Sequence, residues 1–136
     1  MKIVVLVKEV PDTYGDRKLS LETGLADRAA SERVLDEIGE RALEVALSYA
    51  DANPGTEVQV VSMASEDAAA TVRKGLAMGA ASALQVVDPG LAGADLGVTA
   101  RVLAAAVQRA GFDLVITGNL STDGSGGVLP AMLAEH

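Results

Sequence analysis

Four short apolar runs divide the chain, and helical spacing fills the intervals between them. "IVVLVK" (3–8), "EVQVVSM" (57–63), "ALQVVD" (83–88) and "DLVITG" (113–118) are rich in β-branched residues. Near-continuous apolar runs of this length predict strands covered on both faces, as in a parallel sheet. Leu35, Ile38, Ala42, Val45, Ala46 and Tyr49 recur at helical spacing over 35–50, and "NPG" at 53–55 stops that helix. A second helix is predicted from an N-cap at Ser65, with Glu66 and Asp67 in its first turn. It runs through Val72, Leu76 and Ala77 to a stop at Gly79. A third spans about 95–110, with Val98, Val102, Leu103 and Ala106 on one face and Gly111 at its end. Pro130 fits an early position of a last helix, "AMLAEH".

The order is β-α-β-α-β-α-β-loop-α, which predicts an α/β fold: a doubly wound parallel sheet with right-handed crossovers. The expected strand order is 3-2-1-4. The whole of 1–136 reads as a single α/β domain, the first part of a longer subunit, because such a sheet normally continues beyond its last helix. Residues 9–33 mix proline, glycine and charge and read as a long loop, with "KLSLETGLA" as a small hairpin turning at Thr23-Gly24. A loop of that length in a compact domain is usually functional or meets a partner.

Composition narrows the chemistry. Hydrophobic residues make up 49 % of the chain, enough for a sizeable core. Aromatics are 2 % (Tyr14, Tyr49 and Phe112), too few for a base-stacking face. The net charge of −8 has the wrong sign for a nucleic-acid partner. Without cysteine there are no disulfides, thiolate metal sites or iron–sulfur clusters. No apolar run approaches the ~20 residues of a membrane span, so membrane insertion is not expected. The short apolar start does not read as a signal peptide, and the expected location is cytoplasmic.

The candidate chemistry lies in "GNLSTDGSGGVLPA" (118–131), directly after the fourth strand. In an open parallel sheet, ligands bind beyond the C-terminal strand ends where the strand order reverses. With order 3-2-1-4 that crevice lies between strands 1 and 4, where this segment and "KEVPDTYG" meet. Gly124, Gly126 and Gly127 can adopt positive φ and let main-chain N–H groups approach an anion. Ser121, Thr122 and Ser125 add hydroxyls, and the following helix adds its N-terminal dipole. No Lys or Arg occurs in 118–136, which suits a monophosphate better than a triphosphate with its metal. Asp123 fits either a turn-holding role or an acceptor for a ribose hydroxyl. The same composition also fits a plain surface loop, and spacing alone does not separate the two.

Named catalytic motifs are missing. There is no GxxxxGK[ST], no GxSxG, and no GxGxxG, since Leu129 stands where the third glycine would fall. The single histidine, His136, ends the chain. Asp36, Glu37, Glu40 and Glu44 read as a solvated helix face. No catalytic residue and no metal ligand is assigned.

"MKIVVLVKEVPDT", "DE" followed by "ALEVAL" near 36–47, "VRKGLAMGA" (72–80) and "DLVITGNLSTDGSGGVLPAMLAE" (113–135) together resemble the β subunit of electron transfer flavoprotein, in its N-terminal half. The resemblance implies an adenine-nucleotide-binding, flavodoxin- or Rossmann-like domain that is no enzyme by itself. It implies a heterodimer with an α subunit that holds one FAD, mostly through α, and one AMP in β. Such a carrier takes electrons from acyl-CoA dehydrogenases and related enzymes of fatty acid β-oxidation and passes them to a quinone-reducing flavoprotein oxidoreductase. By position, the AMP contacts fall on Leu6, Met63, a stretch from Arg33 to Asp36, and Gly118, Asn119, Leu120, Ser121, Thr122, Asp123, Gly124, Ser125, Gly126, Gly127, Val128 and Leu129. A residue beside the flavin falls on Thr13 or Tyr14. Family members are much longer, and their later half carries the last strands and the loop that docks on dehydrogenases.

Two other readings share the fold. A universal-stress-type adenine-nucleotide-binding protein would carry a second glycine-plus-hydroxyl signature downstream, and none follows here. An adenine-nucleotide hydrolase would want a Ser-Gly-Gly loop after the first strand, where "KEVPDTYG" stands.

Overall fold

The computed structural model describes residues 1–136. A four-stranded sheet contains β1 (Lys2–Leu6), β4 (Glu57–Met63), β5 (Ser82–Val86) and β6 (Leu114–Ile116), in the order β5-β4-β1-β6. All three pairings are parallel. In order of appearance along the chain these four strands lie 3-2-1-4, as the sequence pattern predicts.

Helices cover both faces: α1 (Glu37–Ala52), α2 (Ala69–Met78), α3 (Leu96–Ala110) and α4 (Leu129–Glu135). The two-residue period of the strands divides the core. Ile3, Val5, Val58 and Val60 pack with Leu43, Ala46 and Val72 under α1 and α2. Val4 and Val61 pack with Leu103, Ala106 and Val107 under α3, with Leu129 and Leu133 of α4 against them. The central strand β1 is apolar on both faces because helices bury both.

The helix starts follow local chemistry. Asp36 caps α1 by accepting from the Ile38 N–H, and Asp95 caps α3 by accepting from the Val98 N–H at 2.8 Å. Pro130 sits in the first turn of α4. At Ser65 the structure corrects the expected cap. A 3-10 turn (Glu66–Ala68) precedes α2, and the Ser65 hydroxyl donates to Asp67 rather than serving the helix.

Two further corrections concern packing. The periodicity places Val45 and Tyr49 in the core, yet Val45 is 62 % exposed and Tyr49 also faces outward. The buried stripe of α1 is Gly39, Ala42, Leu43 and Ala46, turned by about one residue. Gly39 lies on this buried face: a Cβ there would lie 3.7 Å from Val7 Cα, in van der Waals contact with the backbone after β1. On α2 the same substitution of roles puts Gly75 inside, against Val60, and leaves Leu76 largely exposed.

The segment read as one long loop contains structure. β2 (Glu9–Pro11) pairs antiparallel with β3 (Arg33–Leu35) and closes the base of an excursion spanning residues 12–32. Inside it, Leu19 and Ala26 form a bridge, and Gly24 turns with φ +70°. The small hairpin expected there is present in that minimal form. Three-residue strands are too short for an alternating pattern to reveal them.

Candidate functional site

A cavity of about 810 Å³ opens beyond the C-terminal ends of the parallel strands. Leu6 of β1, Met63 of β4, Val86 of β5 and Thr117 after β6 form its floor. Leu96, Thr99 and Leu103 of α3 form one wall, and Leu129 and Pro130 of α4 another. The volume lies in the range of small-molecule and cofactor sites. The cavity sits where the sheet topology directs a ligand.

The glycine segment contributes in two parts. Gly118, Asn119, Leu120 and Ser121 line the cavity, as do Gly126, Gly127 and Leu129. Thr122, Asp123, Gly124, Ser125 and Val128 do not. Thr122 to Ser125 form a turn that fixes the segment, and Val128 stands at the start of α4. The Ser125 N–H donates to Ser121 O, and the Gly124 N–H donates to the Asp123 carboxylate. Of the three glycines able to adopt positive φ, only Gly127 does so, at +67°. Gly124 and Gly126 do not, and Ser125 takes the left-handed conformation instead, at φ 50°. That position favours glycine, but a polar side chain with a local bond tolerates it: the Ser125 hydroxyl donates back to Ser121 O. The Gly126 and Gly127 amides take part in none of the backbone bonds that hold the turn.

Asp36 is not part of a solvated face. It is 2 % exposed, and its two oxygens are divided between two N–H donors. Oδ1 accepts from Ile38 at 3.2 Å and Oδ2 from Thr122 at 3.0 Å. One carboxylate therefore caps α1 and ties down the glycine segment. Gly118 makes a second close approach at the same joint: a Cβ there would fall 2.7 Å from Ile38 Cγ2.

Asp123 is the electrostatic centre of the loop. Lys8 Nζ lies 2.8 Å from its Oδ1 and Arg28 Nη2 3.1 Å from its Oδ2. Burial by itself would raise this carboxyl. The hydrogen bonds from Lys8 and Ser121, the Lys8 charge and the Gly124 N–H outweigh burial and hold it far below the ordinary carboxylate value. Arg17 donates to Thr122 O and to Pro11 O. The basic residues absent from 118–136 are thus supplied by the excursion and by the end of β1.

A second ionic group braces the wall near Ser65. Arg33 lies 2.7 Å from Asp67 and 3.3 Å from the buried carboxylate of Glu9. The Asp67 hydrogen bond, then the charge of Glu9, raises the Arg33 guanidinium above its ordinary value. The hydrogen bond from Ser65, then that from Arg33, lowers the Asp67 carboxyl. Arg33 itself does not line the cavity. Thr13 and Tyr14 do not line it either, and Tyr14 is 99 % exposed on the excursion.

The family model described as the electron transfer flavoprotein domain matches residues 23–136. The chain belongs to the electron transfer flavoprotein family. Its similarity is to β subunits. It is 46 % identical over 139 residues to "Electron transfer flavoprotein subunit beta" of Mycobacterium bovis, covering 98 % of this chain and 52 % of that protein. It is 37 % identical over 137 residues to "Caffeyl-CoA reductase-Etf complex subunit CarD" of Acetobacterium woodii, covering 100 % of this chain and 52 % of that one. The β subunit of Clostridium acetobutylicum is 33 % identical over 136 residues, with the same shares covered. The chain spans about half the length of these curated relatives.

Within this member of the electron transfer flavoprotein family, sequence reasoning missed one whole wall of the cavity. Residues 86–89 and 91–94, from the end of β5 towards α3, line it, and Leu25 of the excursion packs over Gly93. "DPGLAGAD" (88–95) carried the signal: a glycine-rich βα loop at the same end of the sheet as 118–131. Lys8 belongs to "KEVPDTYG", the loop expected at the crevice, whereas Leu25 and Arg28 were missed as lining residues because they follow no local pattern. No helix is long and apolar enough to cross a membrane.

Proposed function

We propose that this chain is the nucleotide-binding part of an electron transfer flavoprotein β subunit and holds one AMP as a structural ligand. The observation that carries the reading is the cavity. It lies at the strand ends and is lined by Leu6, Met63, Gly126 and Gly127, on which the family's AMP positions fall. Its apolar floor suits a purine, and its glycine-rich rim suits a phosphate.

In this reading residues 1–136 form one domain that pairs with an α subunit. Bound FAD, held mostly by α, supplies the redox chemistry. The fully exposed Tyr14 and the neighbouring Thr13 are free to meet a partner's cofactor from the excursion. The chain itself orients nucleotide and partner and performs no bond-making step. Electrons come from acyl-CoA and related dehydrogenases and leave to a quinone-reducing flavoprotein oxidoreductase, with the carrier in the cytoplasm.

The test is co-expression with an α subunit, followed by a visible spectrum and chromatography of the nucleotides released on denaturation. A yellow heterodimer releasing AMP and FAD in equal amounts supports the proposal. A colourless homodimer releasing ATP instead supports a universal-stress-type protein and contradicts it.

A further inference from the structure

Lys8 and Arg28 are the only basic side chains that line the large cavity, and both stand at its glycine-loop end. They share a single carboxylate, Asp123, which does not line the cavity. Their side chains remain 43 % and 42 % exposed, while that of Asp123 is 10 % exposed. Two cations held by one buried anion leave a positive charge facing the cavity.

The acids that line the cavity are committed elsewhere or lie apart. Glu9 is bound to Arg33 and Thr71, Asp36 accepts two main-chain N–H groups, and Asp88 caps Gly90. Glu66 belongs to the turn before α2. Anion attraction is therefore concentrated at one rim, beside Ser121, Gly126 and Gly127.

We infer that Lys8 and Arg28 form a two-cation clamp for the phosphate of a phosphomonoester ligand, with Asp123 as the internal anion that the phosphate competes against. The clamp rests on the nucleotide reading above and adds side-chain charge to what main-chain amides supply. It also gives the excursion a task. Arg28 is carried on its returning limb, Arg17 pins it to Thr122, and Leu25 seats it on Gly93 across the cavity mouth. A phosphate drawing on Arg28 draws the excursion onto the site.

Competition with Asp123 gives the clamp a signature that a purely structural ion pair lacks. The readout is the preference for AMP over adenosine, measured by titration calorimetry on nucleotide-stripped protein. Arg28→Gln and Lys8→Gln each lower that preference roughly tenfold or more, the scale of a charge-assisted bond, and leave adenosine affinity in place. Asp123→Asn raises the preference, because it frees both cations. In the unsubstituted protein AMP binding weakens between about 50 and about 500 mM salt while adenosine binding does not; this arm needs no variant to fold. The inference is overturned if the preference stays within twofold in both Gln variants. It is also overturned if Asp123→Asn lowers the preference as they do, which marks a structural latch. Equal binding of AMP and adenosine by the unsubstituted protein removes the clamp but leaves an adenine site. Binding of neither removes the AMP reading itself, and the clamp with it.

Discussion

Lys8 Nζ lies 2.8 Å from Asp123 Oδ1, joining the end of β1 to a loop 115 residues further along the chain. The pair ties the segment after β1 to the glycine segment after β6. It also makes the fold sensitive to acid. The Asp123 carboxyl is held below its unfolded value, so the unfolded chain binds the proton more readily. The stabilisation is complete above about pH 4, the ordinary carboxylate value, and declines as pH falls below it. Urea midpoints measured between about pH 5 and pH 2 should drop steeply for the unsubstituted protein. They should drop less for Asp123→Asn, which has no such proton to take up.

Asp36 separates two roles that one side chain performs. Serine is as good an N-cap as aspartate, but it offers no second oxygen placed to reach the Thr122 N–H. Asp36→Ser should retain the α1 cap and lose the tie to the glycine segment. Amide hydrogen exchange at Thr122 should accelerate in Asp36→Ser while exchange along α1 stays slow. Asp36→Ala should lose both and cost roughly 1–3 kcal/mol in denaturant unfolding.

Two glycines of the segment are required for different reasons. Gly118→Ala sets a Cβ 2.7 Å from Ile38 Cγ2, so the helix start or the loop must shift. A cost of roughly 1–3 kcal/mol follows from overpacking. Gly127 has open space around it but φ +67°, and Gly127→Val should cost on the order of 1–3 kcal/mol through backbone strain. Gly126→Ala needs neither adjustment and should remain close to the parent in stability. Urea unfolding of the three variants checks the ranking.

The rotation of α1 is open to the same measurement. Leu43 is fully buried, and Leu43→Ala should cost roughly 2–5 kcal/mol. Val45→Ala, on the outward face, should fall within about 0.5 kcal/mol of the parent. Equal losses at both positions would contradict the packing described for this helix.

The parts of the fold that local chemistry dictates were legible in the sequence. Runs such as "IVVLVK" and the glycines at 79 and 111 fix strands and helix ends within a few residues, and alternation of the two fixes a parallel sheet. The strand order then points to the end of the sheet where the cavity lies. What the sequence concealed depends on distance along the chain. Arg28 reaches Asp123 across 95 residues, and no spacing rule links them. Glycine is where local patterns misled. Gly39 and Gly75 carry no apolar side chain yet face the core, because closeness of backbone replaces bulk. Ser125, rather than its glycine neighbours, takes one of the loop's two positive-φ positions.

The central claim is that a nucleotide phosphate sits against Gly126 and Gly127 at the end of the sheet. Titration of AMP into isotope-labelled protein, followed by amide chemical shifts, tests it most directly. The account predicts saturable one-to-one shifts at Gly126, Gly127, Leu6 and Met63. Shifts confined to the shallow depression between Ile38, Val45 and Asn119, or no saturable shift at all, would contradict it.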